Sequence, residues 1–552
     1  MDKKKPFKQA PKKAVSQQPK AITPKRDYTL LLLWIVILVI SAIRYRLIAV
    51  PFERDEGEYG YIGNLFLHGV APFKDAYSMK LPGTSFMYAV LMFFFGHTNT
   101  GVHLGMIFIN VATMYFLFAG FKKLYNPLVG LATASIFGLM AISYVFDGFA
   151  AHATQFICFY SSIGLFFLVE YIKSGKVRQI FLCGLMFGMA FLMKQQAVFL
   201  ILFGAILLFV YLKIEKKQKL IDTIKKLFMY GTGVFIPYII VLLIVLFAGE
   251  FKVFWLWTIQ YASTYESVKS LDMIITLFNL SFIPAWGCFY YLFLLALGGI
   301  LVLFWTPYTR LQKIFTLLYF IASLLVLSSG FYFRQHYFVV ILPAVGLLSG
   351  IFLDFVIKKI KVIKSPSFST VILVGIVLFT IYNNHDYYFK YSPRMVCDMS
   401  YWGNPFNATQ EIAKYIKDNT KDTDKIAVLG SEPEICFYAD RTSASGFLYT
   451  YPLVEIQPYN EIMQEQMIKE IEKNKPPFLV FCNVAFSWLA QKGSPTTVMN
   501  WANKYIQANY TPVGFADFFN NRGWHIYWGD DSKNRLPNPE SVIYILKRNP
   551  GM

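Results

Sequence analysis

The stretch Pro-Phe-Glu-Arg-Asp-Glu-Gly-Glu-Tyr-Gly-Tyr-Ile-Gly-Asn-Leu, residues 51–65, places four carboxylates within six positions, directly after an apolar run at about 28–49. A run of that length can cross a bilayer, so the acids that follow it are held at the boundary between lipid and water. Partial removal from water raises the pKa of a carboxyl group and increases its strength as a base. We therefore predict that Asp55 and Glu56 belong to a functional site, the alternative being an ordinary solvated loop.

Apolar runs of about 18 residues or more recur along the chain, as expected for a protein that crosses the bilayer many times. Hydrophobic residues make up 56% of the 552 residues and charged residues only 15%. A shorter run at 83–97 is either a further span or a helix that lies in the interface. The prediction is a multi-span α-helical membrane protein with about 11 to 13 transmembrane helices. The predicted spans are 28–49, 101–120, 126–145, 152–172, 178–194, 196–213, 226–248, 280–305, 313–330, 336–355 and 367–384.

The positive charges fall in short clusters between the apolar runs, and this pattern gives the orientation. The formal net charge is +19, but Lys and Arg concentrated in alternate loops are typical of cytoplasmic membrane loops, not of a nucleic-acid surface. If 83–97 does not cross, the basic tail at 1–27 and every second loop are cytoplasmic. We predict a multi-pass protein of the plasma (inner) membrane with no nucleic-acid partner, whose 50–100 loop is extracytoplasmic.

From about residue 385 the composition changes, and the segment 385–552 reads as a soluble unit. Short apolar runs and alternating runs are typical of strands, and apolar positions at helical spacing are typical of helices. Strands alternating with helices predict an extracytoplasmic α/β domain, in which Cys397, Cys436 and Cys482 could form one disulfide. The predicted elements are strands at 425–430, 478–482 and 541–547 and helices at 408–419 and 459–473.

Ionisable residues at a membrane edge are costly, so a cluster of them indicates a functional site. Under this topology five separate segments of the chain bring acids and cations to the extracytoplasmic face, which suits chemistry on an anionic substrate. These ligand types are scattered over distant segments without metal-ligand spacing, so we predict no cofactor; a metal is possible at Asp147 and His152 but is not indicated. The charged candidates are Asp55, Glu56, Lys80, Asp147, His152, Lys194, Arg334 and His336.

Several of these residues also have ordinary structural explanations. Lys80 could bind a phosphate, or it could extend toward lipid head groups. Lys194 and Gln195 could contact a phosphate or could cap a tight turn between two helices. Tyr59 and Tyr337 could stack on a sugar, or they could belong to the aromatic belt of the membrane interface.

Four motifs follow one another in an order that is found in a known family. They are Asp-Glu at 55–56, Lys-Leu-Pro-Gly at 80–83, a glycine-spaced segment at 184–196 ending in Met-Lys-Gln-Gln, and Arg-Gln-His-Tyr at 334–337 followed by Pro343. In this order they resemble the GT-C glycosyltransferases, in particular the protein O-mannosyltransferase and lipid A aminoarabinose transferase group. The resemblance is strongest over residues 50–200. It implies a GT-C catalytic domain at 28–384, followed by the extracytoplasmic domain.

The resemblance implies an inverting enzyme that moves a sugar from a polyprenyl phosphate donor to a hydroxyl acceptor in a protein, a lipid or an envelope polymer. It assigns Asp55 as the general base, with Glu56 as the second choice or as the residue that orients the acceptor. Lys80, Lys194 and Arg334 would bind the donor phosphate and stabilise it as it leaves. The residues expected to contact the sugar or the acceptor are Asp147, His152, Tyr59, Gln195, His336 and Tyr337.

Two other classes of protein remain open at this stage. A secondary transporter is expected to show inverted repeats and broken helices near the membrane midplane, and neither is recognisable in the sequence. A non-catalytic envelope assembly protein would present its C-terminal domain without needing acids at the membrane edge.

Overall fold

In the computed structural model the chain folds into a helical bundle followed by a domain built on a β-sheet. Almost all of the predicted basic tail lies outside the described residues. The structure describes residue 2 and residues 27–265, 269–359, 366–520 and 522–550.

Within the described residues, the bundle is formed by fifteen α-helices, with short 3₁₀ and π segments between some of them. They are α1 (Thr29–Arg46), α2 (Arg54–Leu67), α3 (Gly83–Phe95), α4 (Asn99–Leu124), α5 (Pro127–Met140), α6 (Ala153–Ser174), α7 (Arg178–Met193), α8 (Val198–Val210), α9 (Leu220–Phe247), α10 (Phe251–Trp255), α11 (Ala262–Tyr265), α12 (Leu271–Val302), α13 (Arg310–Ser328), α14 (Leu342–Lys359) and α15 (Pro366–Asn383).

In the described part of the chain, eight segments are long and apolar enough to cross a membrane. Three shorter apolar helices coincide with further predicted spans, namely Pro127–Met140, Arg178–Met193 and Thr370–Asn383. The predicted multi-span α-helical membrane protein is thereby confirmed, while its orientation stays a prediction. The eight segments are Thr29–Arg46, Asn99–Leu124, Ala153–Ser174, Gln195–Glu215, Leu220–Phe247, Leu271–Trp305, Arg310–Phe331 and Gln335–Lys359.

The ambiguous run at 83–97 forms α3, which has the properties of an interfacial helix. Its 13 residues extend about 20 Å, less than the ~30 Å apolar layer of a bilayer. Three large apolar side chains on it, Phe86, Phe93 and Phe94, are exposed. The equally short α5 differs, because every residue from Val129 to Met140 is buried among neighbouring helices.

Glycines let two helices of the bundle approach closely. A Cβ atom added to Gly184 of α7 would lie 2.1 Å from the carbonyl oxygen of Tyr230 in α9, and one added to Gly188 would lie 2.3 Å from that of Val234. Small residues at such spacing are the usual means of tight helix packing in membranes, where water supplies no driving force between helices. This packing fixes the end of α7, directly before Lys194.

The C-terminal region folds into an α/β domain, as predicted. Its single described sheet has the strand order β2-β1-β3-β6-β4-β5, with β1 parallel to β2 and β3 and the remaining pairs antiparallel. The strands are β1 (Lys425–Leu429), β2 (Thr442–Ser443), β3 (Phe478–Val484), β4 (Tyr510–Phe519), β5 (Gly523–Trp528) and β6 (Ser541–Arg548). The helices are α16 (Pro393–Ser400), α17 (Phe406–Asp418), α18 (Glu434–Ala439), α19 (Tyr451–Val454), α20 (Asn460–Asn474), α21 (Ala485–Trp488), α22 (Thr497–Asn509) and α23 (Gly529–Lys533).

The suggested disulfide in this domain is wrong. All six cysteines are free, and Cys397, Cys436 and Cys482 are buried. These three side chains serve instead as small apolar groups of the core.

The C-terminal domain packs directly onto α2. Phe52 lies against Phe437 with ring centroids 5.0 Å apart, and the Phe52 backbone N–H donates to the Tyr438 hydroxyl at 2.7 Å. A Cβ atom on Gly57 would meet the backbone nitrogen of Glu434 at 2.6 Å, so a larger residue would separate the two helices. One continuous hydrophobic core therefore joins the bundle to the domain and holds α2 between them.

Candidate active site

The acidic stretch that follows α1 is the first turn of a helix and not an open loop. Glu53 is the N-terminal cap of α2, because its side chain accepts a hydrogen bond from the Glu56 backbone N–H at 2.9 Å. Asp55 and Glu56 then lie in the first turn, where the positive end of the helix dipole favours carboxylates. Because successive side chains of a helix point in different directions, Asp55 and Glu56 lie in different environments.

Asp55 forms an ion pair with Lys80. The Lys80 ammonium donates to Asp55 Oδ1 at 2.8 Å and also to Glu58, and it lies 4.5 Å from the centre of the Tyr59 ring. Asp55 is 28% exposed and Lys80 24% exposed, so the pair stays open to the surface. Tyr59 and Lys80 also line a small cleft, whose remaining walls are mostly apolar, with Ile62 and Phe73 among them.

The expectation of a raised pKa at this position is wrong for Asp55. Burial raises its pKa, but the Lys80 ammonium holds it well below the ordinary value. The same contact works in reverse on Lys80, where burial lowers the pKa but Asp55 and Glu58 raise it well above the ordinary value. Both groups are therefore charged at neutral pH.

Glu56 occupies a closed environment on another side of α2. It has no exposed surface, and its Oε1 accepts from the Ala151 backbone N–H at 2.6 Å and from Tyr88 at 3.2 Å, and lies 2.9 Å from His103 Nε2. Burial raises the pKa of Glu56, but His103 outweighs it and holds the value below the ordinary one. Glu56 thus ties α2 to the beginning of α6 through residues that the sequence had not singled out.

His152 and His336 meet Asp55 at the centre of the site. Their rings stack with centroids 4.0 Å apart, and neither ring nitrogen of His152 has a hydrogen-bond partner among the described residues. Burial lowers the pKa of His152 to about 4, so this imidazole is neutral. Ligand atoms of Asp55, His152 and His336 lie within 4.8 Å of one another. One carboxylate and two imidazoles are a donor set that suits Zn²⁺, so the geometry is compatible with a cation. The predicted absence of a metal stays a prediction.

Lys194 and Gln195 connect the end of α7 to the same site. The Lys194 ammonium lies 3.5 Å from the centre of the Tyr337 ring, and burial lowers the pKa of Lys194 to about 7. The Gln195 side chain donates to the Met79 carbonyl at 3.1 Å, which links this turn to the residue before Lys80.

Asp147 is buried and lies beside Gln335. Its backbone is left-handed, with φ of 47°. With the Gln335 amide oriented so that its nitrogen faces the carboxylate, that nitrogen donates to both Asp147 oxygens, at 3.1 and 3.3 Å. Burial and Glu56 raise the pKa of Asp147 well above the ordinary value, with Arg334 opposing them. Arg334 itself is exposed, directly before the turn that carries His336.

The structure thus brings the predicted residues from four segments together around Asp55, with Glu56 set apart inside the protein. It also adds Tyr449 from the C-terminal domain, whose hydroxyl donates to Asp55 Oδ1 at 2.9 Å. Nothing in the local sequence marks this tyrosine, because its partner lies 394 positions away.

The family model described as dolichyl-phosphate-mannose-protein mannosyltransferase matches residues 79–247, less than a third of the chain. No curated protein sequence matches the chain significantly.

Solved structures match over most of the chain. ArnT from Cupriavidus metallidurans, bound to undecaprenyl phosphate, has a TM-score of 0.57 at 16% identity and covers 82% of this chain and 93% of its own. The oligosaccharyltransferase of Archaeoglobus fulgidus, tethered to an acceptor peptide, has a TM-score of 0.53 at 12% identity and covers 95% of this chain and 76% of its own. The same archaeal enzyme, AglB, in complex with an inhibitory peptide and a dolichol-phosphate, has a TM-score of 0.52 at 12% identity, with the same coverage.

These comparisons confirm the predicted class of fold. The chain has the GT-C fold of these membrane glycosyltransferases, and its likeness to the O-mannosyltransferase and ArnT group agrees with the motifs in its sequence.

Proposed function

We propose that this protein is a membrane glycosyltransferase that moves a sugar from a polyprenyl phosphate donor to a hydroxyl acceptor, with Asp55 as the general base. The observation that carries the proposal is the partly exposed Asp55–Lys80 pair, which lies beside a cleft with mostly apolar walls. A lipid-linked phosphate needs a cation for its head group and an apolar surface for its chain.

The cations around Asp55 suit a phosphate that gains charge as it leaves. Lys80, Lys194 and Arg334 come from three different segments, and both Lys80 and Arg334 act electrostatically on Lys194, where each lowers its pKa. Fixed cations in a partly desolvated site stabilise charge that develops in the transition state. We assign all three to the donor phosphate, where Arg334 can donate two parallel hydrogen bonds.

The reaction follows from these positions. The acceptor oxygen attacks the anomeric carbon, a new C–O bond forms there, and the bond from that carbon to the phosphate oxygen breaks. The acceptor proton passes to the Asp55 carboxylate, and polyprenyl phosphate leaves with the bonding electron pair. Attack opposite to the leaving phosphate inverts the anomeric centre.

The low pKa of Asp55 in the enzyme without donor fits this scheme, because Lys80 can bind either Asp55 or the donor phosphate. A donor phosphate that binds Lys80 draws the ammonium away from Asp55 and so weakens the contact that lowers the pKa of Asp55. The carboxylate then becomes a stronger base only when the donor is present, which limits proton transfer to the loaded enzyme.

The remaining predicted residues receive supporting roles. His152, His336 and Tyr337 line the region between Asp55 and Lys194, where the sugar or the acceptor would lie. We assign Glu56 and Asp147 to positioning, because both carboxylates are buried. The alternating basic loops favour a reaction at the extracytoplasmic face of the plasma membrane, with a cytoplasmic N-terminus and an extracytoplasmic C-terminal domain.

The test is sugar transfer in membranes that contain the Asp55→Asn variant. Membranes are supplied with a panel of polyprenyl phosphate-linked sugars, and the products are identified by mass spectrometry. We expect the wild type to consume one of these donors and Asp55→Asn to lose at least about a hundredfold in rate, as is typical for loss of a general base.

Asp75→Asn is the matched control, because it makes the same change at an exposed acid in the same segment. It should leave the rate unchanged. Full turnover by Asp55→Asn would contradict the assignment of Asp55 as the general base. If wild-type membranes consume none of the lipid-linked sugars, the proposed function itself is wrong.

A further inference from the structure

The loop 444–450 of the C-terminal domain reaches into the candidate active site. The Tyr77 backbone N–H donates to the Gly446 carbonyl at 2.7 Å, which pairs this loop with the segment that carries Lys80. The approach is close, since a Cβ atom on Gly446 would lie 2.5 Å from the Tyr77 ring. Glu470 of α20 connects the Tyr77 segment to the loop. Its carboxylate accepts hydrogen bonds from the Tyr77 hydroxyl at 2.9 Å and from the Gly446 N–H at 3.0 Å.

The other end of the loop is fixed within the domain. The Thr450 N–H donates to the Ser431 hydroxyl at 3.0 Å, and the Thr450 hydroxyl donates to the Ser487 carbonyl at 2.7 Å. Tyr449 therefore lies between two anchored points and has little freedom to change its position.

Tyr449 contacts both members of the central ion pair. Its hydroxyl donates to Asp55 Oδ1 at 2.9 Å and lies 3.1 Å from the Arg54 carbonyl, and the Lys80 ammonium is 5.2 Å from its ring centre. Burial and the nearby carboxylates of Asp55 and Glu58 raise the pKa of Tyr449 well above its ordinary value, so the hydroxyl keeps its proton and acts as a donor.

The two hydrogen bonds to Asp55 fall on the same oxygen. Oδ1 accepts from both Lys80 and Tyr449, while among the described residues no hydrogen bond reaches Oδ2. An oxygen with two strong donors is a poor proton acceptor, and the other oxygen keeps its lone pairs free.

We propose that Tyr449 is a positioning residue of the C-terminal domain that fixes the Asp55 carboxylate so that Oδ2 faces the acceptor. The inference rests on the proposed function, because it assumes that Asp55 is the base. It gives the C-terminal domain a direct part in the active site.

Tyr451 provides a matched control for this proposal. Its ring stacks on Tyr449 with centroids 5.5 Å apart, but its hydroxyl donates to the Phe486 carbonyl at 2.7 Å and not to Asp55. Loss of either hydroxyl keeps the stacked rings, so the two Tyr→Phe variants differ mainly in the bond to Asp55.

The experiment measures kcat, the donor KM and the melting temperature of purified Tyr449→Phe and Tyr451→Phe, with the lipid-linked sugar that the wild type consumes. We expect Tyr449→Phe to lower kcat about tenfold, the usual effect of losing a hydrogen bond to a charged group. Its donor KM should change less than about twofold and its melting temperature should stay that of the wild type. Tyr451→Phe should match the wild type in all three.

An unchanged kcat in Tyr449→Phe would overturn the proposal, as would an equal loss in Tyr451→Phe or a fall in kcat that accompanies a fall in melting temperature. These outcomes differ from failure of the proposed function. If Asp55→Asn retains turnover, the base assignment fails, whereas an inactive Asp55→Asn with a normal Tyr449→Phe removes only the role of Tyr449.

Discussion

Two acidic clusters lie on either side of the junction between the bundle and the C-terminal domain, and they differ in what surrounds them. At the start of α2, Asp55 is partly exposed and faces Lys80 and the imidazoles of His152 and His336. After β1, Glu432 and Glu434 have no exposed surface, and Glu432 pairs with Arg54 of α2 at 2.8 Å. The first cluster is open to a ligand and the second is closed.

The difference shows how the same residue types serve two purposes. Burial and the adjacent Glu432 raise the pKa of Glu434 well above its ordinary value, so this acid is neutral and serves packing. Glu432 forms an ion pair with Arg54 and also accepts a hydrogen bond from Ser487. A buried ion pair fixes geometry, because separating either charge from its partner is costly. The closed cluster thus fixes the orientation of α2, and the position of Asp55 in the open cluster depends on that orientation.

The largest effect is expected from breaking the closed cluster. Arg54→Met should destabilise the protein by roughly 3–5 kcal/mol, because it leaves the Glu432 carboxylate buried without its cation. Thermal unfolding in detergent measures the change. Asp55→Asn should by contrast reduce the rate with little change in melting temperature, since Asp55 is partly exposed.

The double variant Arg54→Met/Glu432→Leu is the control for this prediction. Replacement of both partners removes the unpaired charge, so most of the lost stability should return. A single Arg54→Met variant as stable as the wild type would show that the closed cluster does not hold the domains together, and the contrast between the clusters would fail.

A second, smaller effect is the pH dependence of donor binding at the open cluster. Burial lowers the pKa of Lys194 to about 7, so this side chain is an ammonium below that pH and loses its proton as the pH rises through it. The donor is a phosphodiester that does not titrate in this range. The donor KM should therefore rise from about pH 6 to about pH 8, by up to about tenfold, as Lys194 becomes neutral. Steady-state kinetics at several pH values give this slope.

Lys194→Arg separates this effect from other titrations. Arginine stays protonated throughout the range, so the variant should show a nearly flat donor KM. The same slope in Lys194→Arg and in the wild type would mean that another group controls donor binding.

Much of the fold follows from the sequence, because a bilayer imposes strict rules on length and polarity. Apolar runs predict the spans and the strands β1 and β3, and an alternating pattern predicts β6. β4 and β5 were not predicted, since Pro512 and Gly514 interrupt the first with residues typical of turns. The two residues of β2 are too few to form a pattern.

The residues of the candidate site also divide into those that the sequence predicts and those that it does not. Asp55, Lys80 and Lys194 stand out in the sequence because charges beside apolar runs are rare. Tyr449 carries no such signal, since a tyrosine in a soluble domain is ordinary and its contact with Asp55 depends on how two domains pack. The opposite placement of Asp55 and Glu56 is equally hidden, because the two are adjacent in sequence and only the rotation of α2 separates them.

The smallest effect is expected from chelation, and it tests whether the open cluster works through Lys80 or through a metal. Lys80 already places a protonated amine 2.8 Å from Asp55 Oδ1, and a divalent cation held by Asp55, His152 and His336 would be repelled by it and by Lys194. We therefore expect EDTA to change the transfer rate less than about twofold. Loss of activity that Zn²⁺ or Mn²⁺ restores would contradict this and would assign a metal to the three ligands. His152→Ala and His336→Ala sharpen that outcome, because both should then lose the response to added metal, whereas Asp75→Asn should keep it.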